Sequence, residues 1–365
     1  MLYVGTRKGL FEIDTEAATP CVSDAAFLGV PVTRTLNDGR DGTMYAALDH
    51  GHFGVKLHRR DAGGEWTEIA APEYPPKPEG FVDICPMRQI ERPWVTQLVW
   101  ELAAGHPSHP GELWAGTIPG GLFRSQDRGA SWELVRSLWD HPDRVLMTGG
   151  GYDYPGIHSV SVHPDRPDEL MLSVSCGGTW FTDDGGETWD LGTGMRNAYM
   201  PPGREYSPVD QDPHRLARCA AVPEAMWVQH HNGIFRSTDG AASWTEIAGV
   251  PMSSFGFAVV AHPDDPQTAW FVPAAKDECR VPVDGRLVVT RTRDGGRSFD
   301  VLDRGLPPVP AYDLVYRHGF DLAPDGRTLA MGSTTGGVWI SEDAGESWQC
   351  VSTHLPPVYA VRFIP

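Results

Sequence analysis

The sequence has few cysteines, and none of them follows a spacing typical of a metal site or a disulfide framework. Six cysteines are scattered over 365 residues without a Cys-x-x-Cys pair. A basic N-terminal stretch followed by an apolar one is also missing, as is any long uncharged apolar run. These absences argue against a structural zinc site, a small disulfide-rich domain, a signal peptide and a membrane-spanning helix. We therefore expect a cytoplasmic protein with free thiols and no membrane partner.

Positive charge is scarce as well. The chain carries 30 Lys and Arg residues against 48 Asp and Glu residues, which gives a formal net charge of −18. A strongly acidic chain is repelled by polyphosphate backbones, so we expect no nucleic-acid partner. What the chain does have is 41 Gly, 32 Pro and 13 Trp residues. Such a turn-rich composition is typical of an all-β protein with many short strands.

A short pattern, Ser/Thr-x-Asp-x-Gly-x-x-Trp/Phe, recurs along the chain. The Asp carboxylate can accept backbone N–H bonds inside a turn and the Gly can adopt a positive φ, so each copy predicts a tight turn between two strands, here called an Asp turn. Sixfold repetition indicates that these carboxylates are structural rather than catalytic. Four copies are complete; the first has Arg in the hydroxyl position and the fourth has Ala in the glycine position. The aspartates are Asp61, Asp127, Asp184, Asp239, Asp294 and Asp343.

The pattern resembles the Asp box, or BNR repeat, of sialidases, xyloglucan hydrolases, sortilin-type receptors and photosystem assembly factors, all of which are β-propellers. The resemblance extends over almost the whole chain, and it implies either a sialidase-like or glycosyl-hydrolase-like protein or a non-catalytic scaffold. Sialidases also have an FRIP-like segment, six blades and an arginine triad, for which Arg34, Arg215 and Arg317 are the candidates here. The FRIP-like segment is absent and seven units are present. True sialidase activity is therefore not expected.

Seven strand–turn–strand units can be counted, and the first, at residues 2–14, has no Asp turn. The chain ends with VYAVRF at Val358–Phe363, a spare strand that can complete the first blade. We predict one domain, residues 1–365, forming an all-β seven-bladed β-propeller of four-stranded antiparallel blades. Its ring is closed by the C-terminal strand joining the N-terminal blade, so that blade 1 is shared between residues 1–24 and 356–365. The inner strands of the other blades are predicted at residues 32–36, 95–102, 157–164, 215–223, 255–263 and 312–322.

Four connections between the predicted strands are long, and in a four-stranded blade they all fall on the face opposite the Asp turns. Long loops on one face of a rigid scaffold are the usual place for binding or catalysis. We therefore predict the functional site on this loop face. The four connections are residues 70–94, 136–156, 190–214 and 273–286.

The loop face and the starts of the inner strands supply polar residues beyond those that turns require. Hydrolysis of a glycoside needs two carboxyl groups, and we predict Glu278 and Asp212 as this pair, with Asp277, Asp210, Asp153 and Glu205 as other candidates. Tyr152, Tyr154 and Tyr206 could provide stacking surfaces for sugar rings. The predicted substrate-binding residues are Arg7, Lys8, His50, Trp94, His158, His214, Arg215, Gln229, His230, His231 and Lys276.

Three functional hypotheses follow. The first is a carbohydrate-active enzyme, a glycosidase or lyase that acts on a small glycan or a sugar acid and needs no cofactor or metal. The second is a non-catalytic propeller that serves as a scaffold or binds a ligand or a protein. The third is a transition-metal site made by His158, His214 and either His230 or His231. The oligomeric state stays open.

Overall fold

The computed structural model describes residues 1–149 and 152–364. In these residues the chain forms seven four-stranded antiparallel sheets, so it has the predicted fold of a seven-bladed β-propeller; six sheets have their strands in sequential order, and in the N-terminal sheet the last strand of the chain lies beside the first. The predicted connection 136–156 includes Gly150 and Gly151, and the predicted segment 356–365 ends at Pro365. These three residues lie outside the described part of the chain.

The strands are short, as the turn-rich composition predicts. The N-terminal sheet contains β1 (Leu2–Thr6), β2 (Gly9–Asp14), β3 (Cys21–Ala26) and, from the other end of the chain, β28 (Val358–Phe363). The next three sheets are β4 (Val32–Asp38), β5 (Thr43–Asp49), β6 (Val55–Arg60) and β7 (Thr67–Ile69); β8 (Leu98–Ala104), β9 (Leu113–Ile118), β10 (Leu122–Ser125) and β11 (Glu133–Leu134); and β12 (Gly156–Val162), β13 (Leu170–Ser175), β14 (Gly178–Thr182) and β15 (Asp190–Leu191).

The last three sheets follow the same arrangement. They are β16 (Pro213–Arg218), β17 (Met226–His230), β18 (Gly233–Ser237) and β19 (Thr245–Glu246); β20 (Gly256–Ala261), β21 (Ala269–Pro273), β22 (Val289–Thr292) and β23 (Asp300–Leu302); and β24 (Phe320–Leu322), β25 (Leu329–Gly332), β26 (Val338–Ser341) and β27 (Gln349–Ser352). Within the part of the chain that the structure describes, helical structure is limited to α1 (Arg136–Trp139) and to 3₁₀ turns at Gly51–Phe53, Pro142–Leu146, Pro208–Asp210 and Val283–Gly285. No helix in residues 1–149 and 152–364 has the length and apolar character needed to cross a membrane.

The chain divides into two compact units. The first unit comprises Met1–Asn37, His214–Thr238 and Thr245–Pro365, and the second comprises Asp38–Pro213 and Asp239–Trp244. Each unit has its own buried apolar clusters, built from inward-facing strand residues. Trp270, Trp339 and Leu329 belong to one in the first unit, and Trp114 and Trp180 belong to one in the second.

The predicted closure by the C-terminal strand is confirmed. Strand β28 pairs antiparallel with β1, from Leu2 opposite Phe363 to Thr6 opposite Val358. The pairing is sealed by apolar side chains, because Leu2, Val358 and Val361 are buried in one cluster. The edge of β1 is thereby covered rather than left open to another chain.

One predicted strand is much shorter than the sequence suggests. The pattern at residues 312–322 predicts a continuous inner strand, but β24 begins at Phe320. The Gly319 N–H donates to the Tyr316 carbonyl over 2.7 Å, which makes a turn just before the strand. The residues before this turn leave the sheet and become available to the candidate site described below.

The Asp turns have the predicted geometry. In the third copy, Asp184 Oδ1 accepts hydrogen bonds from the Thr188 backbone N–H (2.9 Å) and the Thr182 hydroxyl (2.7 Å), while Oδ2 accepts from the Thr188 hydroxyl (2.6 Å). Gly186 has a φ of 92°, and its N–H donates to Thr182 Oγ1. The bond from the backbone N–H four residues later recurs at Asp127, Asp239, Asp294 and Asp343.

The two incomplete copies have features of their own. Ala241, in the glycine position of the fourth copy, adopts a φ of 69°, which is the left-handed conformation that glycine takes at lower cost. In the first copy the carboxylate of Asp61 accepts a bond from Arg128 Nη2 over 2.7 Å.

The Asp turns predict acid-sensitive stability. Hydrogen bonds from Thr188 and Thr182 lower the pKa of Asp184 to about 2, below the ordinary value of about 3.9. Because the folded-state pKa is depressed, the stabilisation is complete above about pH 4 and is lost as the pH falls towards 2. We expect Asp184→Asn to lower the melting temperature at pH 7, and the difference from wild type to shrink between about pH 4 and pH 2.

Thermal unfolding followed by circular dichroism over this pH range measures the effect. The neighbouring exposed residue provides the control, since Asp183→Asn should leave the melting temperature unchanged at every pH. A difference between Asp184→Asn and wild type that stays constant from pH 7 to pH 2 would show that the charge of this carboxylate does not stabilise the turn.

Candidate functional site

The first unit contains a group of cationic and aromatic side chains that we call the arginine–aromatic cluster. Its members come from the start of β16, the β17–β18 turn, the start of β20, the β21–β22 connection and the segment before β24. These are strand ends and connections, where the sequence predicts function rather than packing alone. The cluster consists of His214, His231, Phe255, Phe257, Arg280, Tyr316 and Arg317.

Phe257 is the centre of this cluster. The His214 ring stacks on it with centroids 4.5 Å apart and planes 14° apart, and Tyr316 meets it edge-on at 4.9 Å. The guanidinium carbons of Arg280 and Arg317 each lie 5.4 Å from its centroid. A cation held over an aromatic ring is attracted to the π electrons, so Phe257 fixes both guanidinium groups.

Two histidines meet in the cluster, as the sequence suggests. The ring centroids of His214 and His231 are 5.2 Å apart. His214 Nδ1 lies 2.6 Å from the carbonyl oxygen of Gly256, and because a carbonyl only accepts, Nδ1 carries a proton there. When the ring is neutral, Nε2 carries no proton and can therefore only accept a hydrogen bond.

The backbone beneath the histidines is held by Gln229. This buried amide donates to the carbonyl oxygens of His230 (3.0 Å), Gly233 (3.3 Å) and Ser254 (2.9 Å). Gln229 therefore ties the β17–β18 turn to the segment before β20. The structure gives this predicted ligand-binding residue a positioning role.

The β21–β22 connection carries the predicted carboxylate and lysine at its tip. Backbone bonds between Lys276 and Cys279 close a tight turn, with Asp277 and Glu278 between them. The Glu278 carboxylate lies 3.8 Å from the Lys276 ammonium group, and their side chains are 65% and 66% exposed. Glu278 thus lies at the surface, in contact with solvent.

Arg280 follows this turn and links it to the cluster. Its Nε donates to Asp277 Oδ1 over 3.0 Å. Partial burial opposes the charge of the guanidinium group, but hydrogen bonds with Tyr316 and Asp277 outweigh that effect and raise the pKa of Arg280. Arg280 is therefore a charged group that its hydrogen bonds hold in place at the edge of the cluster.

In the second unit, a buried ion network holds the long connection after β7. The Asp83 carboxylate accepts hydrogen bonds from Arg92 Nη1 and Arg144 Nη1, each at 2.5 Å, and from Trp94 Nε1 at 3.3 Å. Burial opposes ionisation of Asp83, but Arg144 and Arg92 outweigh it and hold its pKa below the ordinary range. Trp94, a predicted binding residue, also packs against Trp139 at 5.3 Å. Its ring is therefore largely engaged in anchoring this connection.

His158 is also engaged within the second unit. It is fully buried, and its Nε2 lies 2.8 Å from the Pro213 carbonyl oxygen and its Nδ1 3.0 Å from the Ser159 hydroxyl. Trp100 packs edge-on against it at 5.5 Å, and the half-exposed Tyr152 packs against Trp100 at 5.2 Å. Both nitrogens of His158 are thus bonded to the fold, which disfavours it as a metal ligand. The three-histidine metal site stays a prediction.

Asp212, the second predicted catalytic carboxylate, is buried at the end of the connection before β16. Its Oδ1 accepts from the Cys176 backbone N–H (3.1 Å) and the Ser175 hydroxyl (3.3 Å). Hydrogen bonds of this kind favour a charged carboxylate. Its predicted role in catalysis stays a prediction.

The remaining predicted binding residues are more dispersed. Arg7 and Lys8 are exposed in the β1–β2 turn, and His50 is half-buried beside Phe53. His230 is buried and accepts the Asn232 N–H at Nδ1, while Arg215 is half-buried on β16.

The sequence patterns do not single out Phe257, Arg280 or Tyr316. Arg280 lies in a connection that is predicted to be functional, close to Lys276 and Glu278, so its position is a usable signal. Phe257 and Tyr316 are apolar or aromatic residues in predicted inner strands, where packing is the ordinary expectation. Their role becomes visible when the two guanidinium groups are seen beside the ring of Phe257.

Comparison with known proteins supports a glycosyl-hydrolase-like propeller. No protein-family model matches the sequence. A probable oligoxyloglucan-reducing end-specific xyloglucanase from Neosartorya fischeri is 25% identical over 238 residues, which is 57% of this chain and 28% of that protein. The chain thus spans well under half of the length of this relative.

Solved structures share the fold at low identity. The GH74 xyloglucanase from Xanthomonas campestris has a TM-score of 0.64 at 18% identity, covering 96% of this chain and 52% of the other. A structure of YCF48 bound to D1 peptide has a TM-score of 0.53 at 12% identity, covering 91% and 86%. At these identities the structural likeness demonstrates the propeller alone.

The buried network predicts a large stability effect in the second unit. Asp83→Asn would leave Arg92 and Arg144 buried without their carboxylate, which typically costs about 3–5 kcal/mol. The exposed pair of Arg88 and Asp153 offers a matched control, because Asp153→Asn should cost less than about 1 kcal/mol. Denaturant unfolding of both variants measures the difference. Equal, small losses for the two variants would contradict a stabilising role for the buried network.

Proposed function

We propose that this chain is a carbohydrate-active protein of the glycosidase type, with its glycan-binding site at the arginine–aromatic cluster. The observation that carries the proposal is the cluster itself. It combines aromatic rings with the phenol of Tyr316, the imidazole of His231 and the guanidinium of Arg280, groups that can hydrogen-bond sugar hydroxyls beside an apolar surface. The similarity to a probable xyloglucanase supports a glycan as the ligand.

The proposed chemistry is acid–base hydrolysis by two carboxyl groups. A glycosidase uses one carboxyl group to protonate the leaving oxygen and a second carboxylate as nucleophile or base. Asp212 suits the second role, because the Cys176 N–H and the Ser175 hydroxyl stabilise its charged form. Glu278 is the proposed proton donor. It lies at the solvent-exposed tip of the Lys276–Cys279 turn.

One observation favours a second candidate function, a glycan-binding or peptide-binding propeller without turnover. General acids of glycosidases are normally carboxyl groups held protonated by an apolar environment. Glu278 is instead solvated and close to an ammonium group. The propeller of YCF48, in its complex with D1 peptide, shows the same fold in a protein that binds a peptide.

A hydrolysis assay decides between the two. We expect the purified chain to release shorter products from at least one member of a panel of neutral and acidic oligosaccharides that includes xyloglucan fragments, as measured by mass spectrometry. Glu278→Gln and Asp212→Asn should each lower the rate by about 100-fold or more, because each removes an acid–base group. Their melting temperatures should show that they remain folded.

The exposed Glu342 provides the matched control, and Glu342→Gln should keep the full rate. Binding without products from any oligosaccharide would support the non-catalytic alternative. Turnover that survives both substitutions would show that the carboxyl pair is assigned wrongly.

A further inference from the structure

We propose that Asp212, His214 and His231 form a binding site for a divalent transition-metal ion. Each of these side chains offers one ligand atom, and the three atoms all lie within 4.8 Å of one another. The set differs from the three-histidine site that the sequence suggests, because a carboxylate takes the place of His158. The inference goes beyond the proposed function, since binding of an ion requires neither a glycan nor turnover.

The spacing of the three side chains suits a single ion. Zinc binds imidazole nitrogens and carboxylate oxygens at about 2.0–2.2 Å, so two ligands of the same ion lie about 3–3.5 Å apart. Asp212 and His214 are two residues apart at the start of β16, and side chains at this spacing in an extended chain lie on the same side. A rotation of the half-buried His231 side chain can close the remaining gap.

His214 is held in the way that is typical of a metal ligand. Its Nδ1 donates to the Gly256 carbonyl oxygen over 2.6 Å, which leaves Nε2 as the nitrogen with a free lone pair in the neutral ring. Metal-binding histidines almost always bond their other ring nitrogen to a carbonyl oxygen, a carboxylate or water, because this bond fixes the ring. Phe257, stacked on the imidazole with centroids 4.5 Å apart, holds the same orientation. The fold thus orients His214 before an ion arrives.

The other two ligands combine a fixed carboxylate with an accessible imidazole. The Cys176 N–H and the Ser175 hydroxyl donate to Asp212 Oδ1, and carboxylates that bind metals are commonly held by such bonds. His231 is half-buried, and its ring packs edge-on against Phe255 with centroids 5.4 Å apart. A site with three protein ligands keeps one position of a tetrahedral ion for water or another small ligand.

The ligand types select the kind of ion. Calcium and magnesium take oxygen ligands, whereas imidazole suits zinc, copper, iron and nickel. Arg280 and Arg317, on the ring of Phe257, oppose the approach of any cation by long-range repulsion. The affinity must therefore come from direct bonds to the three ligands. We expect selectivity for zinc-type ions over magnesium.

Calorimetric titration of the metal-free full chain with zinc chloride tests the inference. We expect one ion per chain with a dissociation constant of about 1 μM or below, and no measurable binding of magnesium. His231→Gln and Asp212→Asn should each weaken zinc binding by at least about 100-fold, because each removes a ligand. Melting temperatures measured without metal show whether the variants fold. His231 is half-buried, so His231→Gln decides the matter if the buried Asp212→Asn does not fold.

Two matched controls address zinc held elsewhere on the surface. His354 is an exposed histidine of the β27–β28 connection, and Cys279 is an exposed thiol in the β21–β22 connection. His354→Gln and Cys279→Ser should both bind zinc like the wild type. X-ray absorption by the zinc-loaded chain should show nitrogen and oxygen at about 2.0–2.1 Å and no sulfur at about 2.3 Å.

Three results would overturn the metal site: no binding of one zinc ion per chain, equal affinity for magnesium, or undiminished zinc binding by a folded His231→Gln variant. Sulfur in the X-ray absorption spectrum would also overturn it, because a cysteine would then hold the ion.

The outcomes are independent of the proposed function. A chain that binds zinc at these ligands and hydrolyses no glycan would keep this inference and count against the glycosidase. Hydrolysis by a chain that binds no zinc would do the reverse. A carboxylate that ligates an ion cannot act as nucleophile at the same time, so zinc should inhibit any hydrolysis that depends on Asp212.

Discussion

The hydrogen bonds inside the Asp turns are the interactions on which the sheets with very short outer strands depend. The fourth strand of several sheets is very short; β11, β15 and β19 have two residues each. The few hydrogen bonds that such a strand makes with its neighbour cannot offset the conformational entropy that its backbone loses on folding. In the Asp turns that have both groups, the carboxylate and the hydroxyl fix the chain before the short strand starts. The hydrogen bonds of the repeated turns thus hold the outer strands in place, as the hydrogen bonds between longer strands do in larger sheets.

A rigid scaffold of this kind allows the connections on it to vary. In the first unit, the Gln229 amide donates hydrogen bonds to three carbonyl groups, and the Gly256 carbonyl oxygen accepts a hydrogen bond from His214 Nδ1. The backbone beneath the arginine–aromatic cluster is therefore fixed before any ligand arrives. In the second unit, Asp83 and its two arginines give a long connection a defined shape with hardly any secondary structure. The buried ion network there replaces the apolar core that a loop lacks.

The fold was largely predictable from the sequence, because a repeated turn reports directly on the strands beside it. The repeat predicts the number of sheets, their strand order and the return of the C-terminal strand to the first sheet. The prediction of a continuous strand at residues 312–322 is wrong, because the hydrogen bond from the Gly319 N–H to the Tyr316 carbonyl makes a turn there. The site was less predictable. His214 and His231 do meet, but the burial of His158 and the position of Arg280 beside Phe257 arise from contacts between segments distant in sequence. No local pattern encodes such contacts.

The pairing of β28 with β1 has a consequence for the order of events during synthesis. Strand β1 is synthesised before the intervening sheets and its partner β28 after them, so one edge of the N-terminal sheet stays unpaired while those sheets are made. The contact also closes a loop of nearly the whole chain, which places it late in folding on entropic grounds. The nascent chain must therefore carry an exposed strand edge until β28 has been made, and the risk of misassociation is greatest during that interval.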